Sequence, residues 1–303
     1  FMFIWQRGFN MKKLLIFYLF FVSTICFSQV VGTPYIIQTE NSNTFVLDNI
    51  SKSPTVAYSV RKLSKTYHGF CLRVRRSSDN ASLDIGFDTN GELDTATMLA
   101  FVGSANGFVS IWYDQSGNQK NLTQVTQIYQ PKIINTGALI ASNGKPFIGF
   151  YGTPYSSNYN HMDVSGGQVA TNAQLIIVNK FGSVTGSDGF LLGHTSYFNY
   201  HSMPSTNLFH SQYTNSSVYS GTLFINGASL SPSLAPFHSD LKVISLQPLN
   251  PNSGTEWNVI GRDRGSHLTN NGGGYSEIYS FASAITTTER QFIENNIIYY
   301  YSL

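Results

Sequence analysis

The sequence predicts an all-β protein, a β-sandwich with a few short helices and a C-terminal helix. Short runs rich in β-branched and aromatic residues recur along the chain, and glycine, proline and asparagine lie between them. Many short strands separated by turn residues are typical of sandwiches and barrels. Because no repeat and no linker interrupts this pattern, we expect a single domain over residues 29–303.

The surface is predicted to be polar without being ionic. Charged residues make up only 11% of the 303 residues, and aromatic residues make up 14%, whereas ordinary soluble domains carry about 25% charged residues. The formal net charge of +2 is due to residues 1–28, which contain basic but no acidic side chains. Such a composition gives no electrostatic footprint for nucleic acid and suits a neutral ligand such as a glycan.

The N-terminal region has the pattern of a secretory signal. A Met-Lys-Lys sequence starting at Met11 precedes an apolar run over residues 14–22 and then small residues up to Ser28. This order of charged, apolar and small residues predicts cleavage after Ser28 and a secreted or cell-surface protein. The apolar run is shorter than the roughly 20 residues of a membrane span. Cys71 is then the only cysteine left, so we expect a monomer without disulfides.

A first helix is predicted over residues 53–69. Ser53 supplies an N-capping hydroxyl, and Pro54 suits the first helical position because its missing N–H is not needed there. Gly69 ends the pattern as a C-cap glycine does. The apolar residues between them follow at helical spacing: Val56, Val60, Leu63 and Tyr67.

Two further helices carry their own start signals. Asp94 caps a short helix that ends at Gly103. Near the C-terminus, Thr286 and Glu289 form a capping box. The last helix should pack against the sandwich through one face: Phe292, Ile293, Asn296, Ile297 and Tyr300.

The strands are predicted from runs with a period of two or from short apolar runs between turn residues. A turn over residues 77–80 follows the first of them. The predicted strands are residues 70–76, 108–114, 132–135, 146–151, 174–181, 190–193, 222–226, 241–246, 256–261 and 275–281.

Three motifs in residues 57–124 identify a family resemblance. They are an AYS run, a VRRSSD strand and turn, and the turn WYDQSG that begins at Trp112. Together they resemble the opening of the catalytic domain of arabinofuranosidase B, glycoside hydrolase family 54. Later segments, NGKPFIGF at 143–150 and LFING at 223–227, resemble concanavalin A or laminin G domains. The two resemblances cover most of residues 50–302 and imply a concanavalin A-like jelly roll.

The resemblance also implies a catalytic aspartate. A retaining glycosidase needs two carboxyl groups about 5 to 5.5 Å apart, one as nucleophile and one as acid and then base. The family places its acid/base aspartate in an IGxD-like turn, which Ile260-Gly261-Arg262-Asp263 matches, so Asp263 is the candidate. The family's nucleophilic glutamate has no counterpart, because residues 180–255 contain no glutamate. Asp240 and Glu256 are the candidate replacements, whereas Asp188 lies in a Gly-Ser-Asp-Gly turn that suits a structural role.

Other residues have both a binding and a structural interpretation. Trp112 and Trp257 could stack on sugar or belong to the core. Asp114 could contact sugar or calcium, although an aspartate that begins a tight turn commonly bonds to backbone amides. Arg262 lies beside the candidate acid, where it could contact substrate. The histidines show no metal-ligand spacing.

Structural roles are predicted for most other charged residues in the strands. The arginines at 73, 75 and 76 should pair with acids such as Asp79 or Asp84, and Glu277 should be a structural strand residue.

Two functions follow from these observations. The first is a secreted α-L-arabinofuranosidase-like hydrolase that acts on terminal arabinofuranosyl residues of plant-type polysaccharides. The second is a glycan-binding or adhesion module that has lost its nucleophile. Both predict a neutral glycan partner such as arabinan or arabinoxylan, and neither needs a cofactor, with calcium at Asp114 as the alternative.

Overall fold

A computed structural model of the chain describes residues 45–151, 159–167, 169, 172–182, 189–202, 206–248, 250, 255–264, 267–268 and 273–303. These residues belong to one compact unit. The predicted signal peptide, its cleavage site at Ser28 and the turn that contains Asp188 lie outside them. No helix in the described ranges is both long and apolar enough to cross a membrane.

The described residues form mostly short strands. In chain order these are β1 Val56–Ser59, β2 Leu72–Arg76, β3 Ser82–Ile85, β4 Gly107–Trp112, β5 Leu122–Thr123, β6 Lys132–Asn135, β7 Ala138–Leu139, β8 Ala141–Ser142, β9 Lys145–Pro146, β10 Ile148–Phe150, β11 Met162–Val164, β12 Gln174–Lys180, β13 Gly189–Phe190, β14 His201–Ser202, β15 Thr222–Ile225, β16 Ala228–Leu230, β17 Lys242–Gln247, β18 Val259–Ile260, β19 Arg262–Asp263, β20 His267–Leu268 and β21 Gly273–Phe281. Nine of the ten predicted strands share at least two residues with an observed one, although residues 256–261 contain only the two-residue β18. The predicted strand over residues 190–193 shares only Phe190 with β13.

Three α-helices interrupt the strands. They are α1 Thr95–Val102, α2 Ser216–Tyr219 and α3 Thr287–Tyr301. Asp94 accepts a hydrogen bond from the Thr97 N–H at the start of α1, and Gly103 lies at its C-cap, as predicted. Short 3-10 turns cover Val46–Asn49, Gln127–Tyr129 and Pro232–Leu234.

The main sheet is antiparallel throughout its described pairings. Its strands run in the order β16-β15-β17-β12-β21-β10-β6-β4-β5-β11-β18, and β1 pairs with β21 while β2 pairs with β3 and β4. The long strand β21 joins the two parts of the sheet, because it pairs with β12 along one edge and with β10 and β1 along the other. This arrangement confirms the predicted all-β class.

The packing of the core explains why the sequence of β12 contains a continuous apolar run. Leu175 and Ile177 lie in one hydrophobic cluster together with side chains of β2, β4 and β6, whereas Ile176 and Val178 lie in a second cluster with side chains of α3. One face of this strand therefore meets the opposite layer of the sandwich, and the other face is covered by the C-terminal helix. A strand buried on both faces loses the alternation of polar and apolar residues.

The prediction of a helix over residues 53–69 is wrong. Residues Val56–Ser59 form β1, which pairs with β21 in the register Val56↔Ser280 to Ser59↔Glu277 and is buried at all four positions. A short apolar run buried on both faces cannot be distinguished from a buried helix by its periodicity. Of the residues after it, Arg61 forms an isolated bridge with Glu92, and the others lie in turns, bends or irregular structure.

Most charged residues of β2 are paired as predicted. The guanidinium of Arg73 donates hydrogen bonds of 2.8 and 2.6 Å to the two oxygens of Asp84, and Arg76 pairs with Asp79. Arg75 differs, since its guanidinium donates to the side-chain oxygen of Gln130 instead of a carboxylate. The guanidinium groups of this strand therefore have hydrogen-bond partners within the protein and need no substrate to pair with.

A buried ion pair lies between the sheet and α3. Arg61 contacts Glu277 with an Nε–Oε1 distance of 2.6 Å, and Glu277 is fully buried on β21. The hydroxyls of Tyr279 and Tyr301 also donate hydrogen bonds to this carboxylate. Burial alone lowers the pKa of Arg61, but the Glu277 carboxylate raises it above its ordinary value. The predicted structural role of Glu277 is confirmed.

The capping box at the start of α3 is confirmed and has an additional partner. Glu289 accepts hydrogen bonds from the backbone N–H and hydroxyl of Thr286, and also from the backbone N–H and hydroxyl of Ser51. The bonds from Ser51, followed by those from Thr286, lower the pKa of Glu289 to about 2 from its ordinary 4.5. This carboxylate joins the helix to the segment that precedes β1.

Glu289→Ala is expected to destabilise the fold by about 1 kcal/mol at neutral pH, the typical contribution of a helix cap. Because the folded-state pKa is depressed, this stability is fully present above pH 4.5 and is lost as the pH falls through about 2. Urea unfolding of wild type and variant at pH 7, 4 and 3 measures the difference. A difference that stays constant on acidification would contradict the role of the charged carboxylate.

Candidate active site

The turn that carries the candidate acid is shaped by two glycines. Gly261 has a φ of +83°, and a Cβ there would lie 2.4 Å from Cδ1 of Phe150. A Cβ at Gly193 would lie 1.8 Å from the carbonyl oxygen of Arg262. Glycine is therefore required at both positions. This close approach brings β19 against the loop that follows β13.

Asp263 is only 1% exposed at this contact. Its Oδ1 accepts a hydrogen bond of 3.0 Å from the backbone N–H of His194. Its Oδ2 lies 3.8 Å from Nδ1 of His201 and 3.7 Å from Nε of Arg264, and it has no hydrogen-bond partner among the described residues. One carboxylate oxygen thus holds the loop, and the other faces two basic groups at more than hydrogen-bond distance.

His194 is fixed by its own loop. Its Nδ1 accepts hydrogen bonds from the backbone N–H groups of Ser196 and Tyr197 at 3.0 and 3.2 Å. These two donors define Nδ1 as the acceptor, so the neutral ring carries its proton on Nε2. Burial lowers the pKa of His194, and the charges of Glu256 and Asp263 oppose that shift without reversing it.

A cavity of about 350 Å³ lies beside this loop. Its walls combine aromatic rings, amides and one carboxylate, and they come from two segments that are close in sequence and one that is distant: Tyr197, Phe198, Asn199, Gln212, Tyr213, Thr214, Asn215 and Glu256. The hydrogen bond of 2.7 Å from Nδ2 of Asn199 to the carbonyl oxygen of Glu256 ties these segments together. Glu256 is half-buried and is the acidic residue of the lining.

Asp263 lies outside this lining, next to residues that contribute to it. Arg264 stacks its guanidinium over the ring of Phe198 with 3.3 Å from Cζ to the ring centroid. Phe198 also packs against His201, with ring centroids 5.4 Å apart. The aromatic wall of the cavity is therefore in contact with both basic groups that face the Asp263 carboxylate.

Arg262 points away from Asp263, as alternation along a strand requires. Its Nη2 lies 2.7 Å from Oδ1 of Asp163, a residue of β11. His161 adjoins the same carboxylate, and burial followed by the charge of Arg262 lowers its pKa to about 4, although Asp163 opposes the shift. In this structure the ion pair between Arg262 and Asp163 therefore links β19 to β11.

Asp240 is exposed on the segment before β17. Its Oδ2 lies 3.2 Å from Nζ of Lys242. Neither residue lines the cavity beside Glu256. Of the two candidate replacements for the nucleophile, the structure brings Glu256 and not Asp240 to the neighbourhood of Asp263.

Trp112 and Trp257 are fully buried. Both pack against Tyr58 in the core, with ring centroids 5.7 and 6.4 Å from its ring. Neither indole presents a face to a ligand, so the structure corrects the sugar-stacking prediction for these residues in favour of the core interpretation.

Asp114 is a turn residue with its carboxylate occupied. It accepts hydrogen bonds from the backbone N–H groups of Ala57, Ser116 and Lys120 and from the hydroxyl of Ser116. These contacts fix the start of β1 against the WYDQSG turn, which favours the structural interpretation over contact with sugar or calcium. Within the described residues, no group of three or more His, Cys, Asp or Glu side chains could hold a metal ion.

Sequence reasoning missed the cluster around His194. The histidines show no metal-ligand spacing, and the cavity combines residues 197–199 and 212–215 with Glu256, which is distant from them in sequence. A local signal was present, because residues 190–201 contain two histidines and four aromatic residues.

Comparison with known proteins finds a family resemblance in the first part of the described chain. Residues 49–176 match the family described as alpha-L-arabinofuranosidase B, catalytic. The predicted resemblance is confirmed. The chain is 31% identical over 113 residues to a probable alpha-L-arabinofuranosidase B of Aspergillus flavus and 30% identical over 113 residues to alpha-L-arabinofuranosidase B of Aspergillus oryzae. Each match covers 33% of this chain and 22% of the relative.

The arabinofuranosidase resemblance extends to the fold of most of the chain. A solved structure described as arabinofuranosidase complexed with arabinofuranosyl-alpha-1,2-xylobiose superimposes with a TM-score of 0.52 at 16% identity, covering 84% of this chain and 64% of that one. This likeness concerns the sandwich and not its chemistry. The family match to arabinofuranosidase B ends at residue 176, before the cavity residues.

Proposed function

We propose that this protein is a glycoside hydrolase of the arabinofuranosidase kind, which removes terminal arabinofuranosyl residues from plant-type polysaccharides at the cavity beside Glu256. The observation that carries the proposal is that two carboxylates adjoin the loop of His194 and Tyr197. Glu256 lines the cavity together with Tyr197, and Asp263 accepts a hydrogen bond from the His194 N–H while its other oxygen has no hydrogen-bond partner in the described residues. The match of residues 49–176 to the arabinofuranosidase B catalytic family supports hydrolysis over binding alone.

The two carboxylates have different surroundings, which suits different roles. Glu256 is half-buried in the cavity wall, where its carboxylate can attack the anomeric carbon of a bound sugar. Asp263 is buried next to His201 and Arg264, and we assign it the acid and base role. The acid and base role of Asp263 rests on its match to the family's IGxD turn, because its carboxyl group lies outside the cavity lining. In this scheme Glu256 forms the glycosyl-enzyme bond while Asp263 protonates the leaving oxygen, and Asp263 then deprotonates the water that releases the sugar.

The cavity lining suits a neutral sugar. Phe198, Tyr197 and Tyr213 supply apolar faces, and Asn199 and Asn215 supply amides. Sites for neutral ligands commonly combine apolar walls with a few polar groups that fix orientation. A pair of carboxylates suffices for this chemistry without a metal, so we expect activity to be insensitive to EDTA.

The proposal is tested by following arabinose release from 4-nitrophenyl α-L-arabinofuranoside, arabinan and arabinoxylan. Wild type should release arabinose, Glu256→Gln should not, and Asp240→Asn should match wild type because that carboxylate is exposed and paired with Lys242. If wild type releases nothing yet is retarded by these polysaccharides in affinity electrophoresis, the protein is a glycan-binding module. Absence of both release and retardation would exclude a carbohydrate function.

We also propose that the protein is exported and functions as a monomer. The charged, apolar and small-residue pattern over residues 11–28 is the reason for the first proposal. Mass spectrometry of the protein from culture medium should then find an N-terminus at Gln29. Retention of residues 11–28 on the exported protein would contradict cleavage after Ser28.

A further inference from the structure

Glu256 lies between two residues that belong to the core. Thr255 and Trp257 are fully buried, whereas Glu256 is half-buried and lines the cavity. Trp257 pairs with the buried Val169: its N–H donates to the carbonyl oxygen of Val169 at 3.2 Å, and its own carbonyl oxygen accepts from the N–H of Val169 at 2.6 Å. The main chain that presents the Glu256 carboxylate is therefore anchored in the core on its C-terminal side.

The carbonyl oxygen of Thr255 anchors the other side, because it accepts two hydrogen bonds from buried side chains. One comes from Nδ2 of Asn172, which is fully buried, and the other comes from the hydroxyl of Tyr200, which is 1% exposed. The amide of Asn172 is fixed in turn. Its Nδ2 also donates to the carbonyl oxygen of Val169 at 2.7 Å, and its Oδ1 accepts from the hydroxyl of Ser280 on β21.

The carbonyl oxygen of Glu256 also has a donor, the side-chain amide of Asn199 at 2.7 Å. Three consecutive carbonyl oxygens, at residues 255, 256 and 257, are thus each bonded to a group from elsewhere in the fold. A side chain on a backbone fixed in this way can vary only among its own rotamers. Such fixing matters for a reacting group, because a misplacement of about 1 Å can slow a reaction by about 10²-fold.

We infer that Asn172 and Tyr200 are positioning residues for the reaction at Glu256. They hold the carbonyl of Thr255, and the backbone held there directs the Glu256 carboxylate at the anomeric carbon. Neither residue belongs to the cavity lining, so both act through the backbone and not through contact with the sugar. This inference rests on the proposed function and adds the groups that hold its nucleophile.

Two substitutions weaken this arrangement without opening the core. Tyr200→Phe removes one donor to the carbonyl at residue 255 and keeps the buried ring, and Ser280→Ala removes the hydroxyl that orients the amide of Asn172. Both avoid the cavity that Asn172→Ala would create. Tyr58→Phe is the matched control, because the hydroxyl of this fully buried tyrosine also donates to a backbone carbonyl, that of Lys120.

The test measures kcat/KM on 4-nitrophenyl α-L-arabinofuranoside, which reports the steps up to the glycosyl-enzyme, and Ki for arabinose, which needs no attack by Glu256. Tyr200→Phe should lower kcat/KM by about ten- to a hundredfold and leave Ki at the wild-type value. Ser280→Ala should lower kcat/KM by a smaller factor, and Tyr58→Phe should match wild type in both constants. A role in stability alone would lower the urea midpoint of Tyr200→Phe and leave kcat/KM of the folded protein unchanged, which would overturn the inference.

Hydrogen–deuterium exchange of the peptide that contains Trp257 follows the same backbone without turnover. Its exchange should be faster in Tyr200→Phe and unchanged in Tyr58→Phe, and equal exchange in the two variants would contradict the anchoring of this segment by Tyr200. If wild type releases no arabinose, the hydrolase proposal fails and the positioning role fails with it. If wild type is active and Tyr200→Phe keeps its kcat/KM, the hydrolase proposal stands and only this inference fails.

Discussion

Asp263→Asn is expected to slow hydrolysis of natural arabinosides by about 10²- to 10⁴-fold, the usual contribution of a general acid or base. On 4-nitrophenyl α-L-arabinofuranoside, formation of the glycosyl-enzyme should be much less affected, because nitrophenolate leaves without being protonated. Measuring kcat/KM on both substrates isolates this step. Asp263 is buried beside His201 and Arg264. The comparison of kcat/KM on the two substrates decides whether its carboxyl group donates the proton to the leaving oxygen.

Glu256→Gln should behave differently, because loss of a nucleophile removes the first step for every leaving group. We expect a loss of about 10⁴-fold or more on both substrates, at or beyond the upper end for a positioned acid or base. Asp240→Asn makes the same kind of change at an exposed carboxylate and should leave both rates unchanged. An equal loss on both substrates for Asp263→Asn would contradict proton donation and would make Asp263 a positioning residue for the His194 loop.

The second large effect concerns stability. Arg61→Met should destabilise the protein by about 3 to 5 kcal/mol, because it leaves the fully buried Glu277 carboxylate without its cation. Arg73→Met breaks a pair with Asp84 that is partly exposed, so it should cost only about 0 to 1 kcal/mol. Urea unfolding of the two variants compares a buried and a surface ion pair in one fold.

The double variant Arg61→Met/Glu277→Met checks the cause of that loss. Replacing both members of a buried pair by apolar side chains of similar size is often neutral, so the double variant should recover most of the stability lost by Arg61→Met. The hydroxyls of Tyr279 and Tyr301 lose their acceptor in this variant, which sets a limit on the recovery. A double variant less stable than Arg61→Met would show that Glu277 contributes through its tyrosine partners rather than through Arg61.

Local signals in the sequence predicted the fold well wherever they agreed with tertiary packing. The caps of α1 and α3 depend on residues a few positions apart, such as Thr286 and Glu289, and these were predicted correctly. The caps at Ser53 and Gly69 and the spacing of the apolar residues between them predict a helix that includes residues 56–59. These residues form a strand instead, and its burial on both faces removes the alternation that distinguishes a strand. Pairing with β21, more than 200 residues away, decides their conformation.

The site was predictable only in part, because it also depends on contacts between residues that are distant in sequence. Asp263 and Glu256 could be proposed from motif and residue type. The structure places Asp263 on the backbone N–H of His194 and Glu256 in the cavity lined by Tyr197, which stacks on His194. The His194 loop and Tyr213 could not be connected to them, because the contact depends on the close approach of Gly193 to Arg262. For Trp112 and Trp257 the residue type alone left two interpretations open, because large aromatic side chains suit either stacking on sugar or packing in a core. Their full burial decides for the core.

Covalent labelling tests the central claim most directly. A 2-deoxy-2-fluoro-arabinofuranosyl donor with an activated leaving group should trap the glycosyl-enzyme, because the fluorine slows its hydrolysis more than the leaving group slows its formation. Peptide mass spectrometry of the inactivated wild type should find one pentosyl adduct, on the peptide that contains Glu256, and no adduct in Glu256→Gln. An adduct on another carboxylate, such as Asp240, or hydrolysis that proceeds without any adduct, would contradict Glu256 as the nucleophile of this cavity.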